Sequence, residues 1–158
     1  MISRVALVLA LGLASCSRLD TLKPEAIDKA EKQWKDSGLR SYRLVVEMGG
    51  DRVEKGTFEV KIRNGSPVSL KRNGQELPAS RGEDYSVEGL FKTVRQEMEL
   101  AKKPELLGAP AGYTVYTLAR FDEASGRLAQ YRRSVGGTRN AIDIAVREFE
   151  MDDSEAGK

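Results

Sequence analysis

Apolar positions along this chain recur in two rhythms, and each predicts a different element. After an unbroken apolar run at residues 5–14 and a polar stretch, Ile27, Ala30 and Trp34 stand three and four apart. That spacing places them on one face of a helix, which Pro24 can open and Gly38 can stop. Glu25 and Lys29, Asp28 and Lys32, and Glu31 and Lys35 form acid-to-base pairs four apart, in the favourable order for a solvated face. The rhythm then changes to alternation. Tyr42, Leu44, Val46 and Met48 mark one strand, and Phe58, Val60 and Ile62 a second. Asn64-Gly65 predicts a tight turn into a third strand carrying Val68 and Leu70, and Asn73-Gly74 marks another turn. Residues 78–84 read as a loop. Helical spacing returns at Val87, Leu90, Phe91, Val94, Met98 and Ala101. Ser86 can cap this second helix, Tyr85 can staple onto Leu90, and Lys102 and Lys103 suit the negative end of its dipole before Pro104 stops it.

A loop over residues 104–112 leads to three further strands: residues 113–121, residues 128–135 after a turn at 122–126, and a last one marked by Ile142, Ile144 and Val146. Phe149 and Met151 have the opposite parity, which predicts a bulge near Arg147. The predicted order is helix, three strands, helix, three strands. An α+β domain over residues 24–151, with both helices packed on one face of an antiparallel sheet, buries these stripes most simply. No residue-level repeat links the two halves, and residues 152–158 read as an acidic tail.

The N-terminal run is too short to span a bilayer: ten residues cover only about 15 Å of a hydrocarbon core about 30 Å thick. With Arg4 before it, the run has the form of a cleavable export signal. It ends in Leu13-Ala14-Ser15-Cys16, which resembles the lipobox of bacterial lipoproteins. The resemblance implies cleavage after Ser15, a diacylglyceryl group on the Cys16 sulfur and acylation of the new amino group. Two or three acyl chains anchor a protein stably where one does not. On this reading residues 1–15 are a signal peptide and residues 16–23 a lipidated tether. Ser17, where aspartate commonly marks inner-membrane retention, favours the periplasmic side of an outer membrane in a two-membraned host.

Composition narrows the chemistry. Removing residues 1–15 from the 158 leaves 143, enough for one domain, and costs the charge of Arg4 alone, so 25 bases face 24 acids. Such a balance sets up no strong field for nucleic acid. Cys16 is the only cysteine, so a lipidated chain has no thiol left for a disulfide. Histidine is absent. Its absence removes Ser-His-Asp and Cys-His nucleophilic sites, haem ligation by histidine, and zinc sites built on His or Cys.

With the elements in place, the chain resembles the small bacterial secreted and lipoprotein domains grouped as domain of unknown function 6174. The resembling residues are Trp34 with Ser41-Tyr42, Val60 through Gly65, Tyr85-Ser86-Val87 with Leu90-Phe91, Phe121-Asp122 with Gly126, and Ile144 through Phe149. Together they cover roughly residues 31–151. Where that pattern has Gly-Tyr-Pro after the aromatic-Asp turn, this chain has Gly126-Arg127-Leu128, and it lacks the cysteines often found after the first strand. The resemblance implies a fold and an envelope location and brings no activity with it.

Several residue groups could carry chemistry. Arg127, Arg132, Arg139 and Arg147, with Arg133, make the last third basic and form a candidate anion-binding patch for phosphate or an acidic partner. Arg132 and Arg133 point to opposite sides of a strand, so not all can converge. Asp122 and Glu123 lie in a turn, as calcium ligands often do, but two acids fall short of a calcium loop, and turn aspartates commonly bond nearby amides. Asp152, Asp153 and Glu155 in the tail add no spacing typical of a cation site. Tyr113, Tyr116, Phe121 and Tyr131 either belong to the core, the commoner role for strand aromatics, or line a pocket or partner surface. The residues thus lead to an envelope lipoprotein that is not an enzyme and needs no cofactor. It would bind another envelope protein or an anionic surface ligand, with its membrane contact made through the lipid. An inhibitor of an envelope hydrolase, acting through loop 78–84, is the alternative, and a carboxylate-dependent hydrolase is a third.

Overall fold

Strand pairing, more than helix packing, organises this chain. The computed structural model describes residues 18–51, 54–78 and 84–152. Strand β1 (Asp20–Thr21) precedes helix α1 (Pro24–Ser37). Four strands follow: β2 (Tyr42–Gly50), β3 (Gly56–Arg63), β4 (Ser66–Arg72) and β5 (Gln75–Leu77). Helix α2 (Val87–Ala101) then leads through a 3₁₀ turn (Pro104–Leu107) to β6 (Val115–Phe121), β7 (Leu128–Val135) and β8 (Ala141–Met151). All eight strands form one antiparallel sheet in the order β1-β6-β7-β8-β2-β3-β4-β5.

The α+β class stands, but the predicted order of elements needs correction. Among the described residues there are eight strands where alternation predicts six. The stretch read wholly as tether contributes β1, whose Asp20 and Thr21 pair with Ala119 and Leu118 of β6, and Leu22 is buried. The second addition, β5, pairs Gln75 to Leu77 with Arg72 to Leu70. Strands of two and three residues hold too few side chains to show an alternation, and only their partners reveal them. The turns behave as their sequences require. Asn64 and Gly65 take φ of 51° and 76°, and Asn73 and Gly74 take 50° and 82°, the paired left-handed conformations of a two-residue hairpin.

Both helices end as their sequences dictate. Pro24 opens α1, and Gly38, at φ 67°, closes it by returning its N–H to the Lys35 carbonyl. The Ser86 side chain accepts the Gly89 N–H at 3.0 Å and caps α2. Tyr85 stacks on Phe58 with ring centroids 4.0 Å apart. On the surface of α1, Glu31 and Lys35 pair at 3.0 Å. Lys32, however, pairs with Asp36, because Asp28 is drawn to Arg95 on α2.

Ile27, Ala30 and Trp34 of α1 and Val87, Leu90, Phe91 and Val94 of α2 share a single core cluster with one set of alternating strand residues. That set includes Tyr42, Leu44, Val46, Met48, Phe58, Val60, Ile62, Tyr131, Ile142 and Ile144. The parity change in β8 falls at Arg147: Val45 faces Glu148 and Val46 faces Val146, which leaves Arg147 bulged. The bulge turns Phe149 back to the core, where its ring lies 6.0 Å from Trp34 and 5.5 Å from Tyr42.

The opposite sheet face is open and charged. Arg43 bonds Glu59 at 2.8 Å and Glu148 at 2.7 Å, Arg132 bonds Asp143 at 2.8 Å, and Arg147 bonds Glu47 at 2.7 Å. Each is a cross-strand contact on a solvated surface, where such pairs contribute little to stability individually.

Candidate functional site

Where α1 and α2 run side by side, their outer surfaces and the 3₁₀ turn enclose an open groove of about 690 Å³. Glu88, Lys92, Arg95, Gln96 and Glu99 recur along α2 at helical spacing and form one wall, which Lys103 continues just past the helix end. The helical stripe from Glu88 to Glu99 is about 16 Å long at 1.5 Å per residue. Glu31 lines the groove from α1, and Leu100 and Leu106 add apolar surface that is 37% and 64% exposed. Exposed leucines beside a concave surface are the feature that distinguishes it from the solvated sheet face.

The groove's carboxylates already have internal donors. Glu31 accepts from Arg95 at 2.6 Å, and Arg95 also reaches Asp28 at 2.8 Å. The hydrogen bond from Arg95, reinforced by Lys35, holds the Glu31 carboxyl below its ordinary pKa against the opposing effect of burial. Arg95 is raised in turn by Glu31 and Asp28. Glu88 accepts the Trp34 indole N–H at 2.8 Å and the Tyr42 hydroxyl at 2.9 Å, and Tyr42 accepts the Val87 N–H at 3.0 Å. Burial first, then the charge of Glu88, pushes the Tyr42 phenol above its ordinary pKa. Glu99 pairs with Lys102 at 2.6 Å. The groove therefore offers a surface formed by aliphatic stems and leucines, with carboxylates that already have donors. Acid catalysis needs a carboxyl that keeps its proton near neutral pH, and the shift at Glu31 runs the other way.

The arginines singled out in the sequence are dispersed. Arg127 pairs with Asp122 at 3.2 Å and lies over the Phe149 ring, 4.7 Å from its centroid. Arg132 and Arg147 bind acids of the open face. Arg139 is exposed in the turn between β7 and β8. Arg133 points into the core side, where it meets Glu97 at 2.7 Å and Asn140 at 2.8 Å. These placements do not assemble one patch. Each strand sends alternate side chains to opposite faces, and each arginine but Arg139 is drawn to a nearby acid.

Asp122 behaves as a turn aspartate. Its Oδ1 accepts from the Ser125 amide at 2.9 Å and the Ser125 hydroxyl at 2.7 Å. Burial would raise its pKa, but the two Ser125 bonds and Arg127 outweigh burial and hold it low. Its partner in the candidate pair, Glu123, gives only its main-chain carbonyl, which accepts from Gln33 at 2.6 Å. Among the described residues no group of three or more acidic, Cys or His side chains is placed to hold a metal ion. The four aromatics divide: Tyr131 is fully buried and Phe121 packs against the core, whereas Tyr113 and Tyr116 are 53% and 59% exposed.

Asp152 borders a smaller hollow of about 200 Å³ on the open face with Arg43, Lys61, Glu150 and Met151. Residues 1–17, which contain the export signal and Cys16, and residues 79–83 of the loop lie outside the described residues, as do Asp153 and Glu155. No helix among the described residues is long and apolar enough to cross a membrane. The groove was not legible in the sequence. Its α2 wall reads there as an ordinary solvated face, and only the position of the 3₁₀ turn makes it concave. Compared with known protein families and with curated proteins, the chain matches none.

Proposed function

We propose that this chain is a lipid-anchored envelope protein whose domain is a non-enzymatic binding module, and that the groove between α1, α2 and the 3₁₀ turn is its binding surface. The groove itself carries the reading: it pairs exposed Leu100 and Leu106 with carboxylates that already have donors, a surface suited to contact rather than proton transfer. The lipobox-like Leu13-Ala14-Ser15-Cys16 supports the anchor and the envelope location, as does the resemblance to domain of unknown function 6174. The periplasmic side of an outer membrane follows from Ser17 in a two-membraned host.

Crosslinking in cells tests the proposal, with a tagged chain compared with a Leu100→Asp/Leu106→Asp variant and a Cys16→Ala control. The expected result is one dominant partner, captured by the lipidated chain and lost in the groove variant. Cys16→Ala should lose lipid labelling and remain unprocessed. A partner captured equally by the groove variant would place binding elsewhere, and processing of Cys16→Ala at the same position would refute the anchor.

A further inference from the structure

Along the α2 wall of the groove, Glu88, Lys92, Gln96, Glu99 and Lys103 run as acid, base, amide, acid and base. Read in reverse, the same stripe runs as base, acid, amide, base and acid, so it is its own electrostatic complement. A two-fold axis requires that property, because it lays one surface patch on itself in the opposite direction. Given that the groove is the binding surface, we propose that its occupant is a second copy of this chain, the two α2 helices packing antiparallel about an axis beside Gln96.

In that register Glu88 of each copy faces Lys103 of the other, Lys92 faces Glu99, and Gln96 faces Arg95. Slipping the helices by one turn removes the match. One slip sets Glu88 against Glu99 and Lys92 against Arg95, and the opposite slip sets Lys92 against Lys103. A parallel arrangement in register sets every charge against its own kind. Of these arrangements only the first pairs Glu88, Lys92, Glu99 and Lys103 all with opposite charge, and like charges held face to face exclude the others.

The side chains are placed to make these contacts. Glu88, Lys92, Glu99 and Lys103 are all exposed, and Lys92 and Lys103 form no ion pair among the described residues. The two donors that hold Glu88, Trp34 and Tyr42, are neutral, so its negative charge remains for Lys103 of the second copy. Glu99 pairs with Lys102 in a solvated contact of low net value, which a second cation can share. Arg95 keeps its bonds to Asp28 and Glu31. Antiparallel packing also brings Leu100 beside the aliphatic stem of Lys92 of the other copy, and Leu106 next to the start of the other α2. Apolar surface exposed in one chain is thereby covered in the pair. One helix and one 3₁₀ turn from each copy make a small interface, which suits a transient pair rather than an obligate one.

The test co-expresses two differently tagged full-length copies in cells. Photoreactive benzoylphenylalanine replaces Leu106 or, as a distant comparator, Val68 on β4, which is 51% exposed. Irradiation should join the two tags from Leu106 with several-fold higher yield than from Val68. Lys92→Glu in both copies, or Glu99→Lys in both, sets like charges opposite at two related places and should lower the Leu106 yield several-fold. Lys92→Glu in one copy and Glu99→Lys in the other should restore it, because only contact between copies can pair those two changes, and the rescue shows that both variants fold. A double-tag yield from Leu106 no higher than from Val68 overturns the proposal, as does a yield that the single changes leave intact or that the mixed pair does not restore. If Leu106 crosslinks only to a different protein, the groove remains a binding surface and the self-pairing alone falls. If it crosslinks to nothing above the Val68 level, the reading of the groove falls with it.

Discussion

Replacing Tyr42 with Phe tests the physical account of how α2 is held. The Tyr42 hydroxyl is buried, donates to Glu88 at 2.9 Å and accepts the Val87 N–H at 3.0 Å. Val87 is the first residue of α2, and its N–H is one of the helix-end donors that no helical carbonyl can satisfy. Phenylalanine keeps the ring against Trp34, whose centroid is 5.4 Å away, and removes only the oxygen. Losing a hydrogen bond to a charged group costs about 1.5–3 kcal/mol, and stranding a buried N–H costs about 1–3 kcal/mol. The two losses overlap at one atom, so about 2–4 kcal/mol is expected, a large share of a domain stability of about 5–15 kcal/mol. Urea unfolding followed by the fluorescence of Trp34, the only tryptophan, reads the change directly. With a slope of about 2 kcal/mol per molar urea, the midpoint should fall by about 1–2 M.

The same variant has a pH signature. A phenol whose pKa is raised by folding contributes its stability in full below the unfolded value, about 10, and loses it as pH rises beyond that value toward the folded one. The wild-type chain should therefore lose about 1.4 kcal/mol more per pH unit above pH 10 than Tyr42→Phe does. A midpoint shift corresponding to less than about 0.5 kcal/mol, which is the range of neutral surface changes, together with parallel alkaline limbs, would refute the reasoning. That outcome would mean that water reaches Val87 and that the hydroxyl is not what secures the helix.

Two further expectations concern charge. Arg133→Ala breaks a largely buried ion pair by removing the guanidinium that meets Glu97 at 2.7 Å and Asn140 at 2.8 Å, and should cost about 3–5 kcal/mol. Arg133→Leu with Glu97→Leu should recover most of that loss in thermal melts, and equal damage from both variants would show that the cost is not that of breaking one side of the pair. The lowered carboxyls of Glu31, Glu59 and Asp122 add stability that is present above their unfolded pKa values, near 4, and is lost as pH falls through the folded ones. A Glu31→Gln/Glu59→Gln/Asp122→Asn variant should then show a flatter acid limb below pH 4 by circular dichroism, and an unchanged limb would contradict the assignment.

Much of this molecule is written locally. Both helices, the two Asn-Gly turns, the Ser86 cap and the bulge at Arg147 follow from side-chain spacing and from residues whose φ preference or capping oxygen acts within a few positions. The opposed directions of Arg132 and Arg133 follow from the two-residue period of a strand. Only the tertiary structure decided the rest. β1 and β5 are too short to carry a period and exist because β6 and β4 offer them free hydrogen-bonding edges. The tertiary fold also sets Asp28 on Arg95, Arg133 on Glu97 and Trp34 with Tyr42 on Glu88, pairs separated by 67, 36, 54 and 46 residues. The groove and the exposed tyrosines belong with these, because concavity and exposure are properties of what packs nearby. A side chain's neighbours along the chain set its local conformation, and its neighbours in space set its chemistry.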